Sequence, residues 1–133
     1  MIKRIFVMGV LALAMVLVAQ PAFAGSPHFV TASKSVSGNT ITATFKEAGL
    51  GGEAQIDVVL SADASCVNPG THHPKAANKT TVSAGESIPV QNGRAEGSIS
   101  ATATFQPDCT PPMTVVYSNV SLCDITNGIC TDP

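Results

Sequence analysis

The sequence is poor in charged residues and contains no tryptophan, and such absences exclude whole classes of protein. It has 7 Lys plus Arg and 9 Asp plus Glu in 133 residues, which gives a formal net charge of −2 at pH 7. A nucleic-acid-binding protein needs a basic face to neutralise phosphates, and so few scattered cations do not form one. Outside the first 24 residues no segment shows a sustained helical period. We therefore expect a chain without helices and without a nucleic-acid partner.

One long apolar run is present, and it lies at the start of the chain. Two basic residues precede the run over 5–18, and Ala22-Phe23-Ala24 then supplies a small-x-small cleavage site. The run is shorter than the roughly 20 apolar residues that span a bilayer, which favours a removable signal over a retained anchor. The sequence thus predicts a signal peptide over 1–24 and a single domain over 25–133. It also predicts a secreted or periplasmic protein with no membrane span after cleavage.

Export changes the expected state of the cysteines, because thiols oxidise outside the cytoplasm. The four residues Cys66, Cys109, Cys123 and Cys130 allow three pairings. We favour Cys66 with Cys109 and Cys123 with Cys130, because the last two flank a stretch whose Asn127-Gly128 is typical of a hairpin turn. A zinc site is the alternative, but the spacings lack paired Cys-x-x-Cys knuckles. We therefore expect two disulfides.

The remaining chain alternates apolar and polar residues with a period of two, which is typical of half-buried strands. The clearest runs cover 40–45, 55–62, 98–105 and 113–122, and weaker strands are expected over 29–34, 79–83 and 87–90. Turn-forming residues separate the runs. About seven short strands of this kind predict an all-β fold, a two-sheet antiparallel β-sandwich. The description immunoglobulin-like applies to its architecture alone, because there is no tryptophan to pack on an inter-sheet disulfide.

Several segments resemble those of one group of proteins. They are Ser26-Pro27-His28-Phe29, Phe45-Lys46-Glu47-Ala48-Gly49-Leu50, Cys66-Val67-Asn68 with Ala76-Ala77-Asn78-Lys79, and Tyr117-Ser118-Asn119-Val120 followed by Asp124. Together they resemble a group of small exported bacterial proteins of uncharacterised function. In that group a cysteine followed by two prolines occupies the place of Cys109-Thr110-Pro111-Pro112, and the pair Cys123 and Cys130 is a departure. The resemblance implies secretion and a sandwich, and it implies no activity.

Few residues are candidates for a metal site. The weak candidates are the three histidines, His28, His72 and His73. Adjacent residues of an extended segment point in opposite directions, so the last two rarely bind the same ion. Asp63, Asp108 and Asp124 lack the Asp-x-Asp spacing of a calcium loop, and we interpret them as solvated loop carboxylates. We expect neither a metal nor another cofactor.

No pattern in the sequence is typical of catalysis. The serines lack a Gly-x-Ser-x-Gly elbow, and oxidised cysteines cannot act as nucleophiles. Glu47 is the carboxylate of greatest interest because it follows a predicted strand, although a salt bridge or a backbone cap in a turn is its preferred interpretation. The loop candidates for binding are Glu47, Asn68, Asn78 and Lys79.

Two functional hypotheses follow from these observations. The first is a secreted non-enzymatic module, binding or structural, whose partner is a glycan, an envelope component or another protein. The alternative is a small metal-binding or hydrolytic protein that uses loop histidines and acidic residues. We favour the first because the second lacks a complete ligand set or catalytic set in the sequence.

Overall fold

The structure, a computed structural model, describes residues 26–70 and 78–133. In these residues there is no helix, and the chain forms seven strands: β1 (His28–Ser37), β2 (Thr40–Ala48), β3 (Gln55–Val67), β4 (Lys79–Pro89), β5 (Ala95–Thr102), β6 (Thr114–Asp124) and β7 (Ile129–Thr131). A three-stranded sheet has the order β1-β2-β5, and a four-stranded sheet has the order β4-β3-β6-β7. All pairs are antiparallel. The predicted all-β sandwich is confirmed, whereas the predicted signal peptide lies outside the described residues.

Two of the predicted strands are in fact one. The segment 79–83 and all of 87–90 except its last residue belong to β4, which pairs with β3 without interruption from Lys79 to Pro89. Gly85 lies inside this strand opposite Val59. A glycine inside a strand weakens that strand, but β4 remains extended through Gly85 because it pairs with β3 along its whole length. The seventh strand is β7, which is only three residues long and forms the second arm of the hairpin predicted around Asn127-Gly128.

The core lies between the two sheets and is built by the predicted alternation. The largest apolar side chains that are almost fully buried are Ile41, Phe45, Ile56, Val58, Leu60 and Leu122. Each comes from an inner-face position of β2, β3 or β6. Burying a side chain of this size contributes about 1.5–3 kcal/mol, so this layer is the main source of stability.

The outer face of the three-stranded sheet is covered by hydroxyl groups. Side-chain oxygens pair across β2 and β5 in three successive rungs: Thr40–Thr102 at 2.9 Å, Thr42–Ser100 at 2.7 Å and Thr44–Ser98 at 3.0 Å. Cross-strand pairs of this kind stabilise a sheet and satisfy one another's hydrogen-bonding capacity. The face is therefore polar and uncharged along these rungs.

The strand order differs from that of an antibody constant domain. There the fourth strand joins the sheet of the first, second and fifth strands, whereas here β4 pairs with β3 in the four-stranded sheet. The two packed antiparallel sheets are shown by the structure. The narrower description, immunoglobulin-like, stays a prediction.

Both predicted disulfides are present, and no cysteine in the described residues is left reduced. Cys66, near the end of β3, is bonded to Cys109 in the connection between β5 and β6. Cys123 is bonded to Cys130 directly across β6 and β7, at the opposite end of the sandwich. Such bonds persist in oxidising compartments, which fits an extracellular protein. The described part of the chain contains no helix long and apolar enough to cross a membrane.

We expect the two disulfides to contribute unequally to stability. In the chain-entropy model the bond that closes 43 residues, Cys66–Cys109, contributes about 4 kcal/mol, and the bond that closes 7 residues, Cys123–Cys130, about 2.5 kcal/mol. Replacing Cys66 and Cys109 by serine should therefore lower the free energy of unfolding more than the same change at Cys123 and Cys130. Urea unfolding of the two double variants measures the difference. If the variant without Cys66–Cys109 unfolds like the parent, this view of the bond is wrong.

Candidate functional site

The structure does not bring the four predicted loop candidates together. Asn68 directly follows β3, and Asn78 and Lys79 stand at the start of β4, so these three lie near one end of the sandwich. Glu47 is the penultimate residue of β2 and lies at the other end. Of the four, Lys79 alone lines the cleft described below.

The histidine candidates are only partly described. His28 is exposed at the start of β1, and its Nδ1 atom lies 2.8 Å from the backbone oxygen of Ser26. His72 and His73 lie outside the described residues. Among the residues that the structure does describe, no group of three or more His, Cys, Asp or Glu is arranged to hold a metal ion. The metal hypothesis for the three histidines stays a prediction.

The interpretation of the aspartates as solvated loop carboxylates is wrong for two of the three. Asp108 is exposed in the connection after β5, as expected. Asp63, however, lies within β3 and is half-buried, and Asp124 ends β6 and is completely buried. The strands β3 and β6 are longer than the predicted runs, and they include Asp63 and Asp124. The two side chains therefore lie beside neighbouring strands instead of in solvated loops.

A β-bulge in β6 shapes a polar cleft on the outer face of the four-stranded sheet. Ser61 pairs with Ser121 and Asp63 with Ser118, so β6 contains one extra residue at this point. Asn119 lies in the bulge with a φ of 50°, a left-handed conformation that asparagine tolerates better than most residues. Bulges redirect side chains and occur often beside functional sites. Here the bulge turns the Asn119 side chain toward β3.

Asp63 is the centre of the cleft and is held from both sides. Asn119 Nδ2 donates a hydrogen bond to Asp63 Oδ2 at 2.9 Å, and Thr81 Oγ1 donates to Asp63 Oδ1 at 3.2 Å. These two donors come from β6 and β4, the neighbours of β3 on each side. A carboxylate has about four lone-pair positions, so both oxygens can still accept from a ligand.

The cleft has a volume of about 360 Å³, which falls within the usual range of small-molecule sites, roughly 300–1,000 Å³. The described residues that line it are Asp63, Ala64, Ser65, Lys79, Thr80, Thr81, Ser118 and Asn119. They include one carboxylate and one ammonium group, and the remainder are hydroxyls, an amide and a methyl group. The polar side chains among these residues can all donate or accept hydrogen bonds.

The left-handed backbone of Asn119 can be tested separately from its side chain. Both Asn119→Gly and Asn119→Ala remove the hydrogen bond to Asp63, but only alanine also strains the backbone at positive φ. We expect the alanine variant to be less stable than the glycine variant by about 1 kcal/mol. Urea unfolding of the two variants measures this difference, and equal stability would argue against a strained bulge.

A second unusual feature is a pair of buried carboxyl groups at the Glu47 end of the sandwich. Glu47 is 1% exposed and Asp124 is 0% exposed. They come from β2 and β6, which belong to different sheets. The interpretation of Glu47 as part of a salt bridge or as a backbone cap in a turn is wrong, because the side chain lies between the sheets and its carboxyl oxygens have no partner among the described residues.

The two carboxyl groups differ in their hydrogen bonds. Asp124 Oδ1 accepts from the backbone N–H groups of Thr126 at 2.9 Å and Asn127 at 3.2 Å, and Oδ2 accepts from Asn127 Nδ2 at 2.6 Å. No donor in the described part of the chain reaches either carboxyl oxygen of Glu47. An ionised Glu47 would therefore lack both water and a partner.

Protonation of Glu47 removes this deficit, because the neutral carboxyl group carries no charge to solvate and gains an O–H donor, for which the carboxylate of Asp124 is the neighbouring acceptor. Burial raises the pKa of Glu47 from 4.5 to about 8, and the hydrogen bond to Asp124 and the charges of Asp124 and Glu53 act in the same direction. Glu47 is therefore mainly protonated at neutral pH, because its pKa lies above 7. Neither carboxyl group is open to solvent.

Comparisons of the chain with protein-family models, with curated proteins and with solved structures found no match.

Proposed function

We propose that this protein is an exported, non-enzymatic binding module whose ligand is a neutral, hydroxyl-rich molecule, a glycan, held in the cleft around Asp63. The observation that carries this proposal is the pairing of Asp63 with Asn119 at the bulge of β6. It places an acceptor and a donor side by side in a concave polar site. A sugar hydroxyl both donates and accepts hydrogen bonds, so adjacent hydroxyl groups match such a pair.

The charge of the cleft supports a neutral ligand. Asp63 and Lys79 are its only charged residues among those described, and their charges offset each other. An anion is attracted by Lys79 but repelled by Asp63, and the reverse holds for a cation, so neither sign of charge gains a clear advantage over a neutral ligand. The hydroxyl groups of Thr80, Thr81 and Ser118 can each donate or accept a hydrogen bond to such a ligand.

Export is supported by two independent features. The first 24 residues have the charge, apolar run and cleavage site of a signal peptide. All four cysteines are paired in disulfides, which persist in oxidising compartments. The alternative function, a metal-binding or hydrolytic protein, depends on His72 and His73, and no observation in the described residues favours it.

A glycan array with the folded, oxidised protein tests the proposal, followed by calorimetry on any glycan that binds. Asp63→Asn removes a charged acceptor from the cleft and should weaken binding by about tenfold to a hundredfold, the effect of losing a hydrogen bond to a charged group. Asp57→Asn is the matched control, because Asp57 also faces outward from β3 and also accepts a side-chain hydroxyl, that of Ser87. It should bind like the parent.

Two results would contradict the proposal. One is the absence of binding across the array. The other is equal affinity of the Asp63 variant and the parent, which would place any glycan elsewhere on the protein.

A further inference from the structure

We propose that Glu47 and Asp124 form a proton-dependent latch between the two sheets, which holds their end of the sandwich closed most strongly while Glu47 is protonated and loosens progressively as the pH rises. The latch lies between the sheets, whereas the Asp63 cleft lies on an outer face. It therefore does not depend on the proposed ligand.

The latch joins four parts of the chain. Glu47 belongs to β2 of the three-stranded sheet, and Asp124 belongs to β6 of the four-stranded sheet. Asp124 also holds the turn between β6 and β7 through Thr126 and Asn127. Asn127 Nδ2 continues to Glu53 Oε2 at 3.1 Å, in the connection between β2 and β3. One proton therefore lies at the centre of a network that links both sheets, a turn and a connection.

The charges around Glu47 all favour the protonated form. Asp124 from β6 and Glu53 from the connection are the ionisable groups that act on it. β1 and β5 contribute Phe29 and Ala95 at the register of Glu47, and neither titrates. In residues 26–70 and 78–133 the one salt bridge, Lys46–Glu96, is exposed and does not involve this cluster. Loss of the proton thus adds a buried negative charge with no cation beside it.

The direction of the pH effect follows from proton linkage. Glu47 binds its proton more tightly in the closed fold, where its pKa is about 8, than in an open or unfolded chain, where the ordinary value of 4.5 applies. The closed form is therefore fully stabilised below pH 4.5. Its equilibrium constant falls about tenfold for each pH unit up to about pH 8, and this dependence ends above that value.

Opening should be confined to this end of the molecule. The Cys66–Cys109 bond holds the opposite end, and the middle of β3 is paired on both sides by β4 and β6. The hydrogen bonds that close the latch end include Leu50 N–H to the Gly93 oxygen at 3.0 Å and the two backbone bonds to Asp124. The amides of Leu50, Thr126 and Asn127 therefore report on the latch.

Amide hydrogen exchange by NMR between pH 6 and pH 9, corrected for the intrinsic base-catalysed rate, tests the proposal. In the parent protein, protection at the three reporter amides should fall by up to about tenfold per pH unit until about pH 8, while amides in the middle of β3 keep theirs. Glu47→Gln keeps a hydrogen-bond donor to Asp124 but cannot titrate, so its protection should not change with pH. Glu96→Gln is the matched control, because Glu96 is exposed on the adjacent strand, and this variant should behave like the parent.

Two outcomes would overturn the latch: the same pH dependence in the parent and in Glu47→Gln, or an equal loss of protection in the middle of β3. If Glu47→Gln does not fold, the side-chain ¹³C resonance of Glu47 in the parent decides. A titration midpoint near 8 supports the latch, and a midpoint near 4.5 overturns it.

Discussion

Face-to-face packing of the two sheets is the constraint on which the rest of this structure depends. An inner-face side chain has no access to water, so it must be apolar or find a hydrogen-bond partner inside the protein. Most inner positions satisfy this rule with aliphatic and aromatic residues. Glu47 and Asp124 satisfy it differently, because Asp124 accepts three hydrogen bonds from Thr126 and Asn127, whereas Glu47 keeps its proton. Because these two carboxyl groups lie between the sheets, the stability of the closed end depends on the protonation of Glu47. A pair of apolar residues in their place would make that stability independent of pH.

The outer faces of the two sheets differ in whether their polar side chains are still able to bind a ligand. Polar side chains that already hydrogen-bond to one another have less capacity left for a ligand. On the three-stranded sheet, threonine and serine hydroxyls pair with each other across regular rungs, so much of their capacity is already used. On the four-stranded sheet, the bulge at Asn119 interrupts the regular pairing and opens a concave site beside Asp63. The irregularity of β6, more than the polarity of the face, is what distinguishes the cleft.

The sequence predicts those features that depend on local patterns. Alternation predicts the sheets and the core, and export with turn chemistry predicts both disulfide pairings. Two further signals were available. The period that places Ile41, Ala43 and Phe45 inward also places Glu47 inward, and the inward apolar positions of β6 change phase between Tyr117 and Val120, which indicates a bulge. Neither signal identifies the partner across the fold, Asp124 in one case and Asp63 in the other, because that depends on the register between distant strands.

The two ends of the sandwich are therefore held by different means. At one end the covalent bond from Cys66 ties β3 to the connection that crosses from one sheet to the other. At the other end Cys123–Cys130 joins two strands of the same sheet, so it strengthens the hairpin without tying the sheets together. The contact between the sheets at that end includes the carboxyl pair, whose strength varies with pH, whereas the cleft lies on β3 where both neighbouring strands support it. Closure and ligand binding can thus respond to different conditions within one small domain.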